Sequence, residues 1–397
     1  MFIILFLLTV SCATTVLHAA VEPRTIFVPD DYPTIQTAID NASQGDTVFV
    51  KNGTYNENLV IEKPLSLIGE DSRGTTIVGV YVYYSRDTII VSADDVSISG
   101  FTIIGSGSFG IHVENGGSNR QPAGCRIVNN NIMNASTGII AYGMSNPTTG
   151  IKYPSDLVIS ENNITQNTDR GIYCSASNTT ISGNSIKANG GEGIIVDECV
   201  NVTILENNIM SNGRGLLLRW WGPFYVYGNN ITDMSAGIVF GEFCSNATVY
   251  ANNISRNGVG VELANVGDID LIGKYNTVYY NNIVDNAQQV VVYPKSDVVA
   301  WDNGKIGNYW SDHSGQSAYV IDQNNSDHYP LTHPVNISSS APTNSNNHPL
   351  SSLPLPTIAI IAFFGILAVV AIAVVLYLKK RKARNLLNLS HVSYSGG

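Results

Sequence analysis

A repeat of 22 or 23 residues is the feature that most constrains this chain. An Asn-x-Ile phrase recurs along the sequence, and four of its six steps have one of these two lengths. The two longer steps contain loops such as the one from Gly143 to Ser155. The phrases end at Ile132, Ile164, Ile186, Ile209, Ile231, Ile254 and Ile283. A fixed period in the twenties indicates a solenoid, in which each repeat packs on its neighbours.

The residues between these marks predict strands. Short runs such as "VTILE" and "FYVYG" alternate apolar and polar residues, and a glycine followed by an aliphatic residue recurs in phase. Leucine-rich repeats have similar periods, but the leucines they need at fixed offsets are absent. We therefore predict an all-β fold, a right-handed parallel β-helix of about ten coils with an N-terminal capping helix.

One asparagine of each phrase has a predicted structural role. Stacked about 4.8 Å apart, the amides of successive coils can bond to one another as a ladder, and asparagine also tolerates the backbone of a tight turn. The ladder positions are Asn130, Asn162, Asn184, Asn207, Asn229, Asn252 and Asn281. The following asparagine should face outward, so that Asn163, Asn230 and Asn253 become exposed N-glycosylation sequons. Eight more sequons begin at Asn41, Asn52, Asn134, Asn178, Asn201, Asn246, Asn324 and Asn336.

The two ends of the chain predict export and a membrane anchor. Residues 1–20 resemble a signal peptide, and the alternative is a retained N-terminal anchor. The outer domain would cover 21–335, with a helix in 32–43 at one end and a cap over 293–332 at the other. A linker rich in serine, proline and asparagine (336–356) leads to an apolar run at 357–378, long enough for a transmembrane helix. The basic tail, 379–397, predicts a single-pass plasma-membrane protein with its N-terminal domain outside.

Charge and cysteine content exclude some functions. The formal charge is −10, and the tail holds five basic and no acidic residues, so the rest of the chain carries −15. Such a domain would repel nucleic acid, whereas solubility, cations or neutral glycans suit it. The cysteines Cys125, Cys174, Cys199 and Cys244 have no metal-site spacing, and we expect buried free thiols.

Several segments resemble a known family. The stretch "GDTVFVKNGTYNENLVIEKPLSLIGE", the Asn-x-Ile coils and the motifs "GNYWSD", "YVID" and "HYPL" are similar to NosD-type right-handed β-helix proteins of the pectin-lyase-like superfold. The likeness runs from about Thr25 to Leu331. It implies a carbohydrate-binding or sugar-hydrolase type of repeat and a membrane-anchored surface protein of archaeal kind. Because this fold supports many unrelated activities, the resemblance names no chemistry.

Counting from the repeat glycines brings several polar and aromatic residues onto neighbouring coils. The candidate catalytic residues are Asp197, Glu198, Arg219 and Glu242, and the candidate ligand-binding residues are Trp220, Trp221, Tyr142, Tyr173 and Arg219. Glu198 and Glu242 would lie two coils or about 9.6 Å apart, near the upper end of the carboxylate separation in inverting glycosidases. Tryptophan faces suit sugar rings. The structural alternative is that the tryptophans pack under a loop.

We expect no cofactor. A copper site would need His313, His328 and His333 to meet in the C-terminal cap, and the remaining methionines are scattered. A calcium site would draw on Asp302, Asp312, Asp322 and Asp327, but the loop there is the short "HSGQSAY". The tripeptide Asn167-Thr168-Asp169 matches one polygalacturonase motif, but the histidine and arginine-lysine motifs of those enzymes are missing. We therefore attribute the match to coincidence in an asparagine-rich chain.

These observations favour binding of a polysaccharide or cell-envelope glycan at the coils that carry Trp220 and Trp221. The first alternative is a polysaccharide lyase or glycoside hydrolase acting on the same face. The second is a NosD-like accessory of copper-centre assembly, and the third is a purely architectural component of the envelope.

Overall fold

The computed structural model describes residues 22–81, 87–115, 121–143, 145–146, 150–151, 153–264, 275–293 and 299–337. The chain divides into two compact units, Met1–Ala341 and Pro342–Gly397, and every described residue belongs to the first. The predicted signal peptide, most of the linker, the transmembrane run and the basic tail lie outside the described residues. Among the described helices there is none with the length and apolar character needed to cross a membrane.

The described chain forms a parallel β-helix, as predicted. Successive strands take their places in turn in three parallel sheets, so each coil contributes one strand to each sheet. Sheet 1 and sheet 2 have eleven strands each, and sheet 3 has ten. Two short antiparallel pairs accompany them.

The strands of the first half, in chain order, are β1 (Thr25–Val28), β2 (Thr47–Val50), β3 (Gly53–Asn56), β4 (Leu59–Ile61), β5 (Ser66–Gly69), β6 (Thr75–Val78), β7 (Ile89–Val91), β8 (Ser97–Ser99), β9 (Thr102–Ile104), β10 (Phe109–Val113), β11 (Arg126–Val128), β12 (Asn131–Met133), β13 (Thr137–Ala141), β14 (Ser145–Asn146), β15 (Gly150–Ile151), β16 (Val158–Ser160), β17 (Asn163–Thr165) and β18 (Ile172–Cys174). Those of the second half are β19 (Thr180–Ser182), β20 (Ser185–Lys187), β21 (Glu192–Val196), β22 (Val202–Leu205), β23 (Asn208–Met210), β24 (Arg214–Leu218), β25 (Phe224–Tyr227), β26 (Asn230–Thr232), β27 (Ala236–Phe240), β28 (Ala247–Tyr250), β29 (Asn253–Ser255), β30 (Val259–Leu263), β31 (Thr277–Tyr279), β32 (Asn282–Val284), β33 (Gln288–Val292), β34 (Tyr309–Trp310), β35 (Tyr319–Val320) and β36 (Ser326–Asp327).

The core lies inside the coil, because alternate residues of every strand point inward. The isoleucines of the repeated phrase pair in one register down sheet 2, and all seven are fully buried. Trp310 continues this column after Ile283 and is also fully buried. The core of one coil therefore rests directly on the core of the next.

The junction from sheet 1 to sheet 2 is tight and regular, with two residues between the strands in every coil from β8 to β32. From sheet 1 to sheet 2, a residue with positive φ comes immediately before the ladder asparagine, as in Asn129 (φ 56°) before Asn130 and Glu206 (φ 55°) before Asn207. From sheet 2 to sheet 3 the same motif recurs, as in Gln166 (φ 57°). The left-handed position is thus the neighbour of the ladder asparagine. The ladder asparagine itself does not take it, which corrects the sequence-based prediction.

The junction from sheet 3 to sheet 1 varies from coil to coil. It takes five residues between β21 and β22 but six between β27 and β28, and most of the longer loops also leave from it, apart from the connection between β6 and β7. This junction carries the candidate ligand residues.

Both ends of the solenoid are closed. Helix α1 (Ile35–Asn41) begins after Thr34, whose Oγ1 accepts from the Thr37 N–H, and it buries Ile35, Ala38 and Ile39. It confirms the predicted capping helix. At the other end, the rings of Trp310 and Tyr319 stack with centres 4.1 Å apart over the last coil. The cysteines Cys125, Cys174, Cys199 and Cys244 are free and buried, as predicted.

Candidate functional site

The predicted asparagine ladder is present in full and runs one residue further, to Asn308. At each step the backbone N–H and the side-chain Nδ2 both donate to the Oδ1 of the asparagine one coil toward the C-terminus, over 2.9 to 3.2 Å. Each Nδ2 of the seven predicted members also donates to a backbone carbonyl. The ladder is therefore structural, because its amides are engaged with one another inside the fold.

A second ladder lies at the junction from sheet 2 to sheet 3, and sequence reasoning missed it. Its members are Asn167, Asn189, Asn212, Asn257 and Asn286. Met234 interrupts it, offering only its sulfur to the Nδ2 of Asn212 at 3.9 Å. The signal was available, since each member follows a ladder asparagine by five residues. The structure accounts for Asn167 as a ladder residue, so its resemblance to a polygalacturonase motif carries no chemistry.

The candidate ligand residues meet at the junction from sheet 3 to sheet 1. The Tyr142 and Tyr173 rings lie edge to face, 6.1 Å between centres. The Tyr173 hydroxyl donates to Asp197 Oδ2 over 2.7 Å, and Arg219 Nη2 donates to the same oxygen over 2.8 Å. Trp220 and Trp221 follow Arg219 directly. We call these six residues the tryptophan edge.

Burial and the neighbouring carboxylate shift the pKa values at this edge. Burial, reinforced by the hydrogen bond to Asp197, raises the pKa of Tyr173 to about 12. Burial lowers the pKa of Arg219, but the ion pair with Asp197 outweighs it and the net pKa is raised. Tyr173 is therefore a neutral hydrogen-bond donor and Arg219 a fixed cation near neutral pH.

The ion pair at this edge leaves polar atoms unsatisfied. Asp197 is only 4% exposed, yet its Oδ1 has no hydrogen-bond partner in the described structure, and neither has the buried Nε of Arg219. A buried polar group without a partner costs free energy, about 1–3 kcal/mol, so each such atom requires an explanation, such as a bound ion, a catalytic role or stored strain. Asp197 Oδ1 and Arg219 Nε are thus an acceptor and a donor beside Tyr173 that are both covered and unpaired within the described chain.

The two tryptophans differ in their surroundings. Trp220 (φ 53°) packs its ring on Phe243, with centres 4.6 Å apart. Trp221 (φ 80°) is 48% exposed and bridges the backbones of Cys199 and Cys244. Trp220 therefore packs against a residue of the neighbouring loop, as the structural alternative predicted. Trp221 is exposed to solvent over about half of its surface.

Glu242 does not occupy the position that glycine counting gave it. The loop from Gly241 to Cys244 has one residue more than its neighbours, so Phe243 (φ 55°) takes the left-handed position equivalent to Trp220 and Glu198. Glu198 is engaged separately and accepts from the Tyr153 hydroxyl over 2.5 Å. The expectation that Glu198 and Glu242 share one column is wrong, so a separation of about 9.6 Å no longer follows from the strand spacing.

A charged network and an apolar cluster adjoin the edge on the outer face of sheet 3. Arg170 lies 2.9 Å from Asp169 and 3.6 Å from Glu192, and its guanidinium lies 5.6 Å from the centre of the Tyr173 ring. Outside the main core, Tyr173 also packs against an apolar cluster of Ile195, Leu217, Ala236 and Val239. Tyr173 is thus held in place from both sides.

The cap histidines do not form a metal centre in the described structure. His313 bonds to the Ser317 carbonyl, His328 to Asp302 and His333 to Thr332. The described residues hold no group of three or more histidine, cysteine or acidic side chains placed to bind a metal ion. The acidic cap residues have local partners too, such as the Tyr319 hydroxyl for Asp312 and the Asn308 N–H for Asp327.

Solved structures define the class of this fold. The A-module of a mannuronan C-5 epimerase from Azotobacter vinelandii matches with a TM-score of 0.54 at 19% identity, covering 67% of this chain and 74% of that one. A pectate lyase matches with a TM-score of 0.51 at 15% identity, covering 79% of this chain and 87% of the lyase. The chain is thus a pectate-lyase-like parallel β-helix, and at these identities the likeness concerns the fold alone.

Sequence comparison gives the family. The model described as "Periplasmic copper-binding protein (NosD)" matches residues 39–221 and 221–315, well over half of the chain. This chain belongs to the NosD family, which confirms the resemblance seen in its motifs. A cell surface glycoprotein of Methanothermus fervidus is 32% identical over 199 residues, 49% of this chain but 31% of that relative. The matched region therefore spans about a third of the relative's length.

Proposed function

We propose that this chain is a cell-surface β-helix protein that binds a polysaccharide at the tryptophan edge. The carrying observation is an exposed aromatic ring, Trp221, near two side chains with unsatisfied atoms: Arg219, two residues before it, and Asp197, on the preceding coil. Sugar rings bind by apolar contact with aromatic faces and by hydrogen bonds from hydroxyls to buried polar groups. Asp197 Oδ1 is covered in the folded chain, so a sugar hydroxyl could donate to it only after a side chain of the edge moves aside.

Surface location is supported by the Methanothermus relative, whose name places that protein at the cell surface. The apolar run at 357–378 and the basic tail would anchor the chain in the plasma membrane with the β-helix outside. The charge of −15 outside the tail favours a neutral polysaccharide or envelope glycan over an anionic one.

Affinity electrophoresis tests binding. The full chain, held in a detergent without a sugar headgroup, is run through native gels containing neutral or acidic polysaccharides. We expect a neutral polysaccharide to retard the wild type, and Trp221→Ala to weaken binding at least tenfold, about 1.4 kcal/mol. Tyr225→Ala is the matched control, since Tyr225 is an exposed aromatic residue on sheet 1, and it should migrate like the wild type.

Retardation that Trp221→Ala leaves unchanged would remove the tryptophan edge as the site. Shortened oligosaccharides released from the gel polysaccharide would favour the lyase or hydrolase alternative.

The NosD family membership favours a second candidate, a role in copper-centre assembly. It would require imidazole or sulfur ligands that converge on one ion. Copper retained after dialysis, and lost on replacing His313, His328 and His333 together, would support this second candidate and would require the three histidines to rearrange from their separate partners.

A further inference from the structure

Three N-glycosylation sequons occupy equivalent positions on the junction from sheet 3 to sheet 1. Asn178, Asn201 and Asn246 are all exposed and share one left-handed backbone conformation, with φ of 54°, 58° and 56°. The strand pairing of β19, β22, β25 and β28 aligns them along one ridge, with Pro223 taking the position between Asn201 and Asn246. We call these three asparagines the acceptor ridge.

The hydroxyl that each sequon needs is also held in one geometry. Thr180, Thr203 and Thr248 follow their asparagines by two residues and lie in a single register column of sheet 1. All three belong to strands and are partly exposed. Asparagine and threonine are thus presented together to the same side on each of these coils.

The sequon at Asn230 is built differently. Its Nδ2 already donates to Asn208 Oδ1 over 2.8 Å, and the Thr232 of the sequon is 2% exposed with its hydroxyl bonded to Asp233. A sugar on that nitrogen would break the bond to the neighbouring coil. This site therefore resists modification in the folded chain, although its sequence motif is equally good.

The spacing along the acceptor ridge limits which of its asparagines can carry a glycan. Asn178 and Asn201 lie on adjacent coils, about 4.8 Å apart, which is too close for two sugar chains side by side. Asn201 Nδ2 donates to Asn178 Oδ1 over 3.0 Å, so this contact engages the nitrogen of Asn201 but only the oxygen of Asn178. Asn246 is flanked along the ridge by Pro223 and Tyr275, which carry no acceptor amide.

We propose that Asn178 and Asn246 carry N-linked glycans, about 14 Å apart on the acceptor ridge, and that Asn230 remains bare. In the reaction, Nδ2 attacks the anomeric carbon of a lipid-phosphate-linked oligosaccharide. The new bond joins Nδ2 to that carbon, the bond from carbon to phosphate oxygen breaks, and the lipid phosphate leaves while Nδ2 loses one proton to a base of the transferase. The proposal rests on the surface location proposed above, because such transfer takes place outside the cytoplasm.

The test is intact-mass and glycopeptide mass spectrometry of the full chain, produced in the organism that makes it. We expect one glycan on each of the Asn178 and Asn246 peptides and none on the Asn230 peptide. Thr180→Val and Thr248→Val, which keep the β-branched shape but remove the hydroxyl, should each lower the mass by one glycan. Thr180→Ser keeps the sequon and should retain the glycan.

Bare Asn178 and Asn246 peptides in the wild type would overturn the proposal, as would equal modification of Asn230 or an unchanged glycan content in Thr180→Val. None of these outcomes touches the electrophoresis of added polysaccharide, so ligand binding and modification can fail separately. Far-ultraviolet circular dichroism of Thr180→Val and Thr180→Ser checks that both remain folded.

Discussion

The solenoid has two contrasting junctions. The junction from sheet 1 to sheet 2 is regular and its ladder is fully hydrogen-bonded, whereas the junction from sheet 3 to sheet 1 is irregular and leaves polar atoms of the described chain unpaired. The first repeats one motif along the ladder, and each buried asparagine amide is hydrogen-bonded. The second changes length and composition, and it leaves Asp197 Oδ1 and Arg219 Nε without partners in the described structure. The difference indicates that the first junction serves stability, whereas the second leaves polar atoms unsatisfied at the edge where we propose a ligand site.

Breaking the ladder should have the largest effect on this contrast. Asn229→Ala removes the acceptor of two donors on Asn207, its N–H and its Nδ2, and also three bonds made by its own Nδ2. Because unsatisfied buried donors cost about 1–3 kcal/mol each, we expect unfolding free energy to fall by about 4 kcal/mol in urea titrations.

Asn230→Ala is the matched control for this change. Asn230 is the next residue, faces outward and makes a single side-chain bond, to Asn208. A loss of about 1 kcal/mol or less is expected. Equal losses of unfolding free energy for Asn229→Ala and Asn230→Ala would mean that the ladder stabilises the fold no more than an ordinary surface hydrogen bond does.

Removing the charge at the tryptophan edge should cost less. Asp197→Asn loses the ion pair with Arg219, whose side chain is 36% exposed, but the amide oxygen can still accept from the Tyr173 hydroxyl. We expect a loss of about 2 kcal/mol in the same titration. A loss as large as that of Asn229→Ala would make this junction a stability element and weaken the case for a ligand site.

Alkaline pH should give the smallest and most local effect. Since the pKa of Tyr173 is raised to about 12 from the ordinary 10.0, the unfolded chain releases this proton first and binds fewer protons in that range. Stability contributed by the protonated phenol is therefore complete below pH 10 and is lost as pH rises toward 12. Tyr173→Phe should make the fall in thermal midpoint between pH 10 and 12 shallower. If the thermal midpoints of wild type and Tyr173→Phe fell in parallel between pH 10 and 12, the raised pKa of Tyr173 would be contradicted.

The regular parts of the molecule were predictable because every coil needs a buried aliphatic residue and a ladder asparagine at the same positions. Ile209 and Asn207 recur where the core and the ladder need them, so their spacing gives the coil and the faces directly. The second ladder obeys the same logic, and its fixed offset of five residues from the first was visible around Asn212. Met234 interrupts this series, so the offset does not recur in every coil.

The irregular parts were less predictable for a physical reason. Counting residues from the repeat glycines assumes coils of equal length, and the extra residue before Cys244 shifts Glu242 out of its expected column. Unsatisfied atoms such as Asp197 Oδ1 depend on which way each side chain turns, which spacing does not specify. The sequence could name the coils of the candidate site, but not the contacts within them.

The asparagine ladder also gives the solenoid an electrical direction. Every ladder backbone N–H, and one N–H of every ladder side-chain amide, points toward the C-terminal coil, while each Oδ1 accepts from the N-terminal coil. The amide dipoles of the ladder therefore add along the axis, as peptide dipoles add along a helix. The last N–H of the series, on Asn308, donates to the carboxylate of Asp327, which also accepts from the Trp310 indole. The positive end of the aligned dipoles therefore meets an acidic side chain, and the cap closes the column electrostatically as well as by packing.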